Sequence, residues 1–157
     1  MSAEFSNIHP PRPRERSAIA SLIFGLLCVS VVIMIPKLMH GAKVRRASET
    51  LHSLITIRQV QAQFEAKNSR FATLKELAES GLLDQKYASG IVVSGYIYSS
   101  SDISEKTYCV HAVRTGATVS NYDFVVCEDG IIRCVDSKTP GVVKRGEGAP
   151  LRGTENK

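Results

Sequence analysis

Residues 17–36 read SAIASLIFGLLCVSVVIMIP and contain no charged side chain. A helix of about twenty residues crosses the hydrocarbon core of a bilayer. Two alternatives remain open. A buried core helix would need protein on every side, and a chain of 157 residues offers little for that. A cleaved secretory signal normally has an apolar core of about 7–15 residues and then a small-residue cleavage site, whereas here IPKLMHGAKVRR follows. The run therefore predicts a transmembrane anchor, which we assign to residues 17–41.

Basic residues flank this run on both sides. The chain has a net charge of +5 and a pI of about 9.1. Its clustered cations are Arg12, Arg14 and Arg16 before the run, Lys37, Lys43, Arg45 and Arg46 after it, and Lys138, Lys144, Arg145 and Arg152 in the C-terminal tail. This distribution is typical of bilayer flanks and a solvated tail, so nucleic acid is not an expected partner. The positive-inside rule is close to a tie between the two flanks.

A second helical pattern follows the anchor, from about residue 42 to residue 67. Apolar residues recur there on two neighbouring helical stripes, which are Leu51, Leu54, Ile55 and Ala62, and Ile57, Val60 and Phe64. Pro36 is expected to kink or interrupt the helix before this stretch. Thr73 and Glu76 have the spacing of a capping box and Gly81 provides a C-terminal stop, which predicts a short helix at about 73–80.

The period then changes to two, which predicts an antiparallel sheet. Four runs are rich in β-branched and aromatic residues, at 91–99, 107–114, 122–127 and 131–135. Asp129-Gly130 indicates a tight hairpin between the last two. From residue 137 the chain is rich in Lys, Gly and Pro, and we expect a disordered basic tail over 137–157. The sequence therefore predicts an α+β fold, with a long N-terminal helix packed on a four-stranded antiparallel sheet in a domain over residues 42–136.

Three cysteines lie in the predicted strands. If the second and third strands pair about a loop centred on Thr118, Cys109 lies directly opposite Cys127. A tight turn at Asp129-Gly130 would place Cys134 opposite Val125, diagonal to Cys127. Directly opposed cysteines have the better separation for a bond, so we predict Cys109–Cys127 with Cys134 free. Three unpaired thiols remain the alternative.

Because strand cysteines pair in an oxidising compartment, they favour one orientation of the anchor. We expect residues 1–16 to form a disordered cytoplasmic tail and the larger C-terminal part to be exported.

No catalytic constellation is apparent. The histidines at positions 9, 40, 52 and 111 have no zinc-ligand spacing with one another or with a cysteine pair. His40 beside the anchor and His52 on the amphipathic helix are expected at the surface. Nucleophile-elbow, phosphate-loop, dinucleotide and haem motifs are absent from the sequence. We therefore expect no enzymatic activity and no cofactor, metal or small-molecule substrate.

Three stretches resemble type IV pilins and the pseudopilins of type II secretion. They are IPKLMHGAKVRRASETLHSLITIRQVQAQFEAKNSRFATL, LLDQKYASGIVVSGYIYS and YDFVVCEDGIIR. The first is similar to the pilin pattern of an apolar helix reaching Ile-Pro, a basic cluster and a second helical half. The others are similar to the entry to the first strand and to the closing hairpin. The resemblance covers about residues 17–135 and implies an anchored α+β head.

The family's processing motif is not matched. Aligned without gaps on Pro36, the positions of the family's cleavage Gly, following Phe and assembly Glu fall at Arg14, Glu15 and Ile19. The resemblance implies a non-enzymatic structural subunit of a pilus or secretion apparatus, in a bacterial inner membrane with its C-terminal domain in the periplasm. The alternative is an uncleaved single-span accessory subunit of a membrane complex, for example a respiratory or photosynthetic one.

The anchor itself has a candidate partner surface. Ser21 and Gly25 have small-xxx-small spacing, which permits close approach of a second helix. We expect the bilayer and other subunits of a complex or filament as partners. A plain lipid-surrounded anchor remains the alternative.

Overall fold

A computed structural model describes the backbone of residues 13–151 and the side chains of residues 41–151. The chain divides into two compact units, Met1–His40 and Gly41–Lys157. We call residues 41–151 the head. Among the residues whose side chains are described, no helix has the length and apolar character needed to cross a membrane. Residues 17–40 of the predicted anchor, with Ser21, Gly25, Pro36 and His40, lie outside them.

The fold is α+β, as predicted. In chain order the elements are α1 (Pro13–Asn68), α2 (Leu74–Glu79), a 3₁₀ turn (Gln85–Tyr87), β1 (Tyr96–Ser101), β2 (Cys109–Arg114), β3 (Tyr122–Cys127), β4 (Ile132–Asp136) and β5 (Ala149–Pro150). The strands form one antiparallel sheet in the order β1-β2-β3-β4-β5. The prediction of four strands was wrong by one, because β5 lies in the segment expected to be disordered.

Helix α1 begins earlier than the sequence pattern indicates. It includes residues 13–16, which we assigned to a disordered tail, and Pro13 occupies the first helical position. Proline is favoured there because its missing N–H would have no helical partner and its φ suits a helix. Helix α1 also includes Pro36, so the helix is not interrupted at that residue.

The core of the head lies between α1 and one face of the sheet, which we call the inner face. Leu54, Ile57, Val60 and Phe64 of α1 are buried with inner-face residues that include Tyr98, Val110, Ala112, Phe124, Val126 and Ile132. These α1 residues belong to the predicted apolar stripes, and the inner-face residues follow the period of two. The head is therefore the predicted helix-on-sheet arrangement.

Two sets of polar contacts hold the chain in place after α1. Gln61 is fully buried, donates to the carbonyl of Ala72 at 2.6 Å and accepts from the N–H of Ala72 at 3.1 Å. Thr73 and Glu76 form the predicted capping box at the start of α2. Gly81 follows this helix with a φ of 74°, which is the left-handed conformation expected at a helix end.

Strand β1 begins at Tyr96 rather than at residue 91. Ser94 and Gly95 have positive φ values of 52° and 89°, which break an extended run. A Cβ at Gly95 would lie 2.5 Å from the side chain of Val119. Ile91 and Val92 are consequently exposed in a loop, although their residue types favour a strand.

Candidate functional site: the outer sheet face and its C-terminal strap

A disulfide joins β2 to β3 on the sheet face opposite α1, which we call the outer face. Cys109 and Cys127 are register partners with Cα atoms 4.1 Å apart and sulfur atoms 2.03 Å apart. Both side chains are buried. The predicted bond and register, including the neighbouring Val110–Val126 and Ala112–Phe124 pairs, are confirmed. The bond links β2 and β3, which are already paired with each other, and so it stabilises the sheet.

The third strand cysteine lies on the other face. Cys134 has a free thiol, as predicted, but it pairs with Phe124 instead of Val125 and packs against the inner core. The predicted register was wrong by one residue. The N–H of Gly130 closes the turn onto the carbonyl of Cys127 at 2.9 Å, and Gly130 itself has a left-handed backbone conformation. That extra residue shifts the partner strand. Burial raises the pKa of the Cys134 thiol.

Residues 137–148, between β4 and β5, cross the outer face, and we call them the strap. Val143 is only 3% exposed and packs against Cys109, Cys127 and Val125. The expected disorder of the tail is therefore not found over 137–151, while residues 152–157 lie outside the described part of the chain. Gly148 has a φ of 93°, and a Cβ there would lie 2.6 Å from the carbonyl oxygen of Cys134. The path of the strap therefore requires glycine at position 148, where its backbone lies against that of Cys134.

Polar contacts hold the strap at its start and again just beyond Val143. At its start, Ser137 accepts from the Arg114 guanidinium through both its carbonyl and its hydroxyl, and the hydroxyl lies 3.2 Å from an Asp123 carboxylate oxygen. Further along, Arg145 lies 2.5 Å from Glu128 and 3.9 Å from Asp102. These partners lie in the β3–β4 and β1–β2 turns. The strap thus ties together both turns at one end of the sheet.

His111 lies under the strap on the outer face. It is buried, and its Nε2 is 2.7 Å from the hydroxyl oxygen of Ser101. Burial lowers the pKa of His111, against opposing effects of the Val143 backbone and Asp102. Nδ1 makes no well-formed hydrogen bond within the described residues. His52 is exposed as expected, whereas His111 belongs to the packing of the strap. The strand pattern around His111 does not indicate whether this histidine is buried under the strap or exposed.

One cluster among the described residues has the spacing of metal ligands. It consists of Cys109, Cys127 and Glu128, with potential ligand atoms within 4.8 Å of one another. Because the two sulfur atoms are bonded to each other, they do not offer the thiolates that a metal would bind. The cluster is therefore a structural disulfide beside a surface carboxylate.

Cavities lie near both ends of the sheet. One of about 340 Å³ lies between α1 and the β3–β4 turn, lined by residues that include Arg58, Glu65 and Tyr108. Arg58 donates there to the carbonyl of Gly130 at 2.8 Å, and burial raises the pKa of Tyr108 to about 12. Another of about 280 Å³ lies at the other end of the sheet, beside Arg114 and the start of the strap. Tyr108 in the first cavity therefore stays protonated at neutral pH.

Comparisons with protein-family models, curated proteins and solved structures find no match.

Proposed function

We propose that this chain is a membrane-anchored, non-enzymatic assembly subunit with a pilin-like head. The observation that supports it best is the element order. Helix α1 has 56 residues, its sequence contains the uncharged run 17–36, and its later part packs on an antiparallel sheet. In pilins and pseudopilins the same order joins an anchor to a head that makes contacts with neighbouring subunits.

The disulfide supports the orientation within this proposal. Buried disulfides persist in oxidising compartments such as the periplasm and are rare in the cytosol. The Cys109–Cys127 bond thus favours an exported head. A braced sheet with a strap over its outer face would present a rigid surface to partner proteins.

A second candidate is an accessory subunit that keeps its whole anchor. The residues Arg14, Glu15 and Ile19 at the aligned processing positions favour it, because a prepilin peptidase reads a Gly there and assembly uses a Glu. The two candidates share the anchor and the head. They differ in maturation and in whether the partner is another copy of the chain.

The test is purification of the full chain from native membranes in a mild detergent, followed by N-terminal sequencing and identification of co-purifying chains. A new N-terminus near residue 15 with self-association supports the pilin-like subunit. An intact Met1 or Ser2 with a fixed set of other membrane proteins supports the accessory subunit. A chain recovered in the soluble fraction, or alone and monomeric, would contradict both.

One substitution tests the anchor as a partner surface. Gly25→Leu places a bulky side chain at the small-residue surface and should dissociate the partner while leaving the chain in the membrane. Ala20→Leu is the matched control, because residue 20 lies about 140° around an ideal helix from residue 25. If both variants keep the partner, the contact lies in the head or the tails.

A further inference from the structure

The cavity beside Arg114 is lined by a buried guanidinium with two unpartnered nitrogen atoms. Arg114 is 2% exposed. Its Nη2 donates to Ser137, while Nε and Nη1 have no hydrogen-bond acceptor within the described residues. The Asp123 carboxylate is buried beside it, accepts from the backbone N–H of Arg114 at 2.8 Å and is linked to the guanidinium through the Ser137 hydroxyl. The described part of the chain contains no direct ion pair to the guanidinium. Buried donors without acceptors are costly, so these two nitrogen atoms favour an added ligand that supplies acceptor oxygens.

Besides Arg114, the lining of the cavity contains one cation, one carboxylate and neutral polar side chains. The side chains that matter are Asn121, Ser137 and Lys138, with Asp136 as the one carboxylate in the lining. Lys138 is exposed. Asn121 accepts from Lys43 of α1 at 3.4 Å through Oδ1, which leaves its amide N–H groups as donors. The Ser137 hydroxyl already donates within the protein, to Asp123 and to the carbonyl of Thr139. The cavity therefore combines two cations, one carboxylate and the amide N–H groups of Asn121.

Helix α1 extends this positive surface. Besides Lys43, it supplies Arg46, whose guanidinium lies 3.4 Å from the carbonyl oxygen of Thr118 in the β2–β3 loop. Both residues are within five positions of Gly41 in sequence. Guanidinium and ammonium groups around a cavity are the usual partners of phosphate oxygens, which carry high charge and several acceptor sites.

We propose that this cavity binds a phosphate group, with Arg114 as its charged floor and Lys138 at its rim. The group belongs to an anionic phospholipid headgroup or to a soluble phosphate. The headgroup source rests on the membrane anchor proposed above, because Lys43 and Arg46 directly follow that anchor in sequence. The phosphate chemistry does not depend on the anchor, so the two proposals can fail separately.

The test uses the full chain in neutral maltoside micelles. Thermal unfolding is followed during titration with inorganic phosphate, and in parallel with micelles that contain phosphatidic acid, since a ligand of the folded state raises its Tm. A rise with both probes assigns a soluble phosphate site, and a rise with phosphatidic acid alone assigns a headgroup site. Absence of a rise with either probe overturns the proposal.

Matched variants separate the cavity from general surface charge. Lys138→Gln should weaken binding by about fivefold to tenfold, and Asp136→Asn should strengthen it by a similar factor. Lys106→Gln removes the same charge at the exposed β1–β2 turn, at the opposite end of β2, and should leave binding unchanged. Equal weakening by Lys138→Gln and Lys106→Gln overturns the proposal. Arg114→Gln should abolish binding; because its floor position can affect folding, the two rim variants decide the result.

Discussion

Replacing Val143 by alanine removes two carbon atoms from a side chain that is 3% exposed and packs on the disulfide. The transfer free energy of the lost atoms is about 1.6 kcal/mol, at about 0.8 kcal/mol for each. The cavity left under the strap adds to this, since the disulfide and Val125 cannot fully collapse into it. We expect Val143→Ala to lower the free energy of unfolding of the head by about 2–3 kcal/mol.

Val142 provides a matched control for this prediction. It precedes Val143 directly and is 62% exposed, so Val142→Ala should change the free energy of unfolding by less than about 0.5 kcal/mol. The assay is urea unfolding of the full chain in neutral detergent, followed by tyrosine emission. All five tyrosines lie in the head and the chain has no tryptophan. Equal effects of the two substitutions would refute the packed strap and restore the predicted disordered tail.

Three further predictions follow from buried or hydrogen-bonded groups. Replacing Cys109 and Cys127 together by alanine should lower the free energy of unfolding by about 3 kcal/mol, measured by urea unfolding, because the unfolded chain loses its closed loop. Gln61→Leu should lower it by about 1–3 kcal/mol, since the buried N–H and carbonyl of Ala72 lose both partners. The pKa of Glu76 is lowered mainly by its hydrogen bond with Arg70. Its stabilising effect should therefore be complete above the ordinary pKa of 4.5 and be lost as pH falls through the lower folded value.

Each of these predictions has a control. Cys134→Ser should keep the bond between the other two cysteines, and non-reducing peptide mapping that joins Cys134 to Cys127 would show the inferred faces of the sheet to be wrong. Gln63→Leu, at an exposed position two residues away, should change stability by less than about 0.5 kcal/mol. Glu76→Gln should abolish the Glu76 part of the acid-dependent loss in thermal unfolding scans, and an unchanged acid profile would argue against its role.

The sequence predicts the inner face well because local period and turn spacing determine it. Alternation along 107–114 and 122–127 identifies Val110, Phe124 and Val126 as buried, and the same register opposes Cys109 and Cys127. The capping box of Thr73 and Glu76 is equally local, since both partners lie within one helical turn. These features need no information about distant parts of the chain.

The sequence does not predict the packing of the outer face, because the residues that contact each other there are far apart in the chain. Val143 lies in a Gly-rich, basic stretch whose composition indicates disorder. Its burial depends on Val125 and the disulfide, and neither contact is visible in the local pattern. Arg114 occupies an inner-face position at the end of β2, where the period of two predicts an apolar residue. Its interaction with Ser137 becomes apparent only once the strap is in place.

The register error at Cys134 has a different cause. Asp129-Gly130 suits both a two-residue hairpin and a longer turn followed by a left-handed glycine. The sequence does not choose between them, and the choice moves Cys134 from one face of the sheet to the other. One additional turn residue thus places Cys134 on the inner face instead of the outer face.

Accessibility of the two chain ends in spheroplasts tests the central claim, an anchored chain with an exported head, most directly. Epitope tags are placed before Met1 and after Lys157, and a protease is added to the outside. We expect loss of the C-terminal tag, protection of the N-terminal tag, and retention of the N-terminal fragment in the membrane after alkaline washing. Protection of the C-terminal tag in intact spheroplasts, or release of the full chain by alkaline washing, would contradict it.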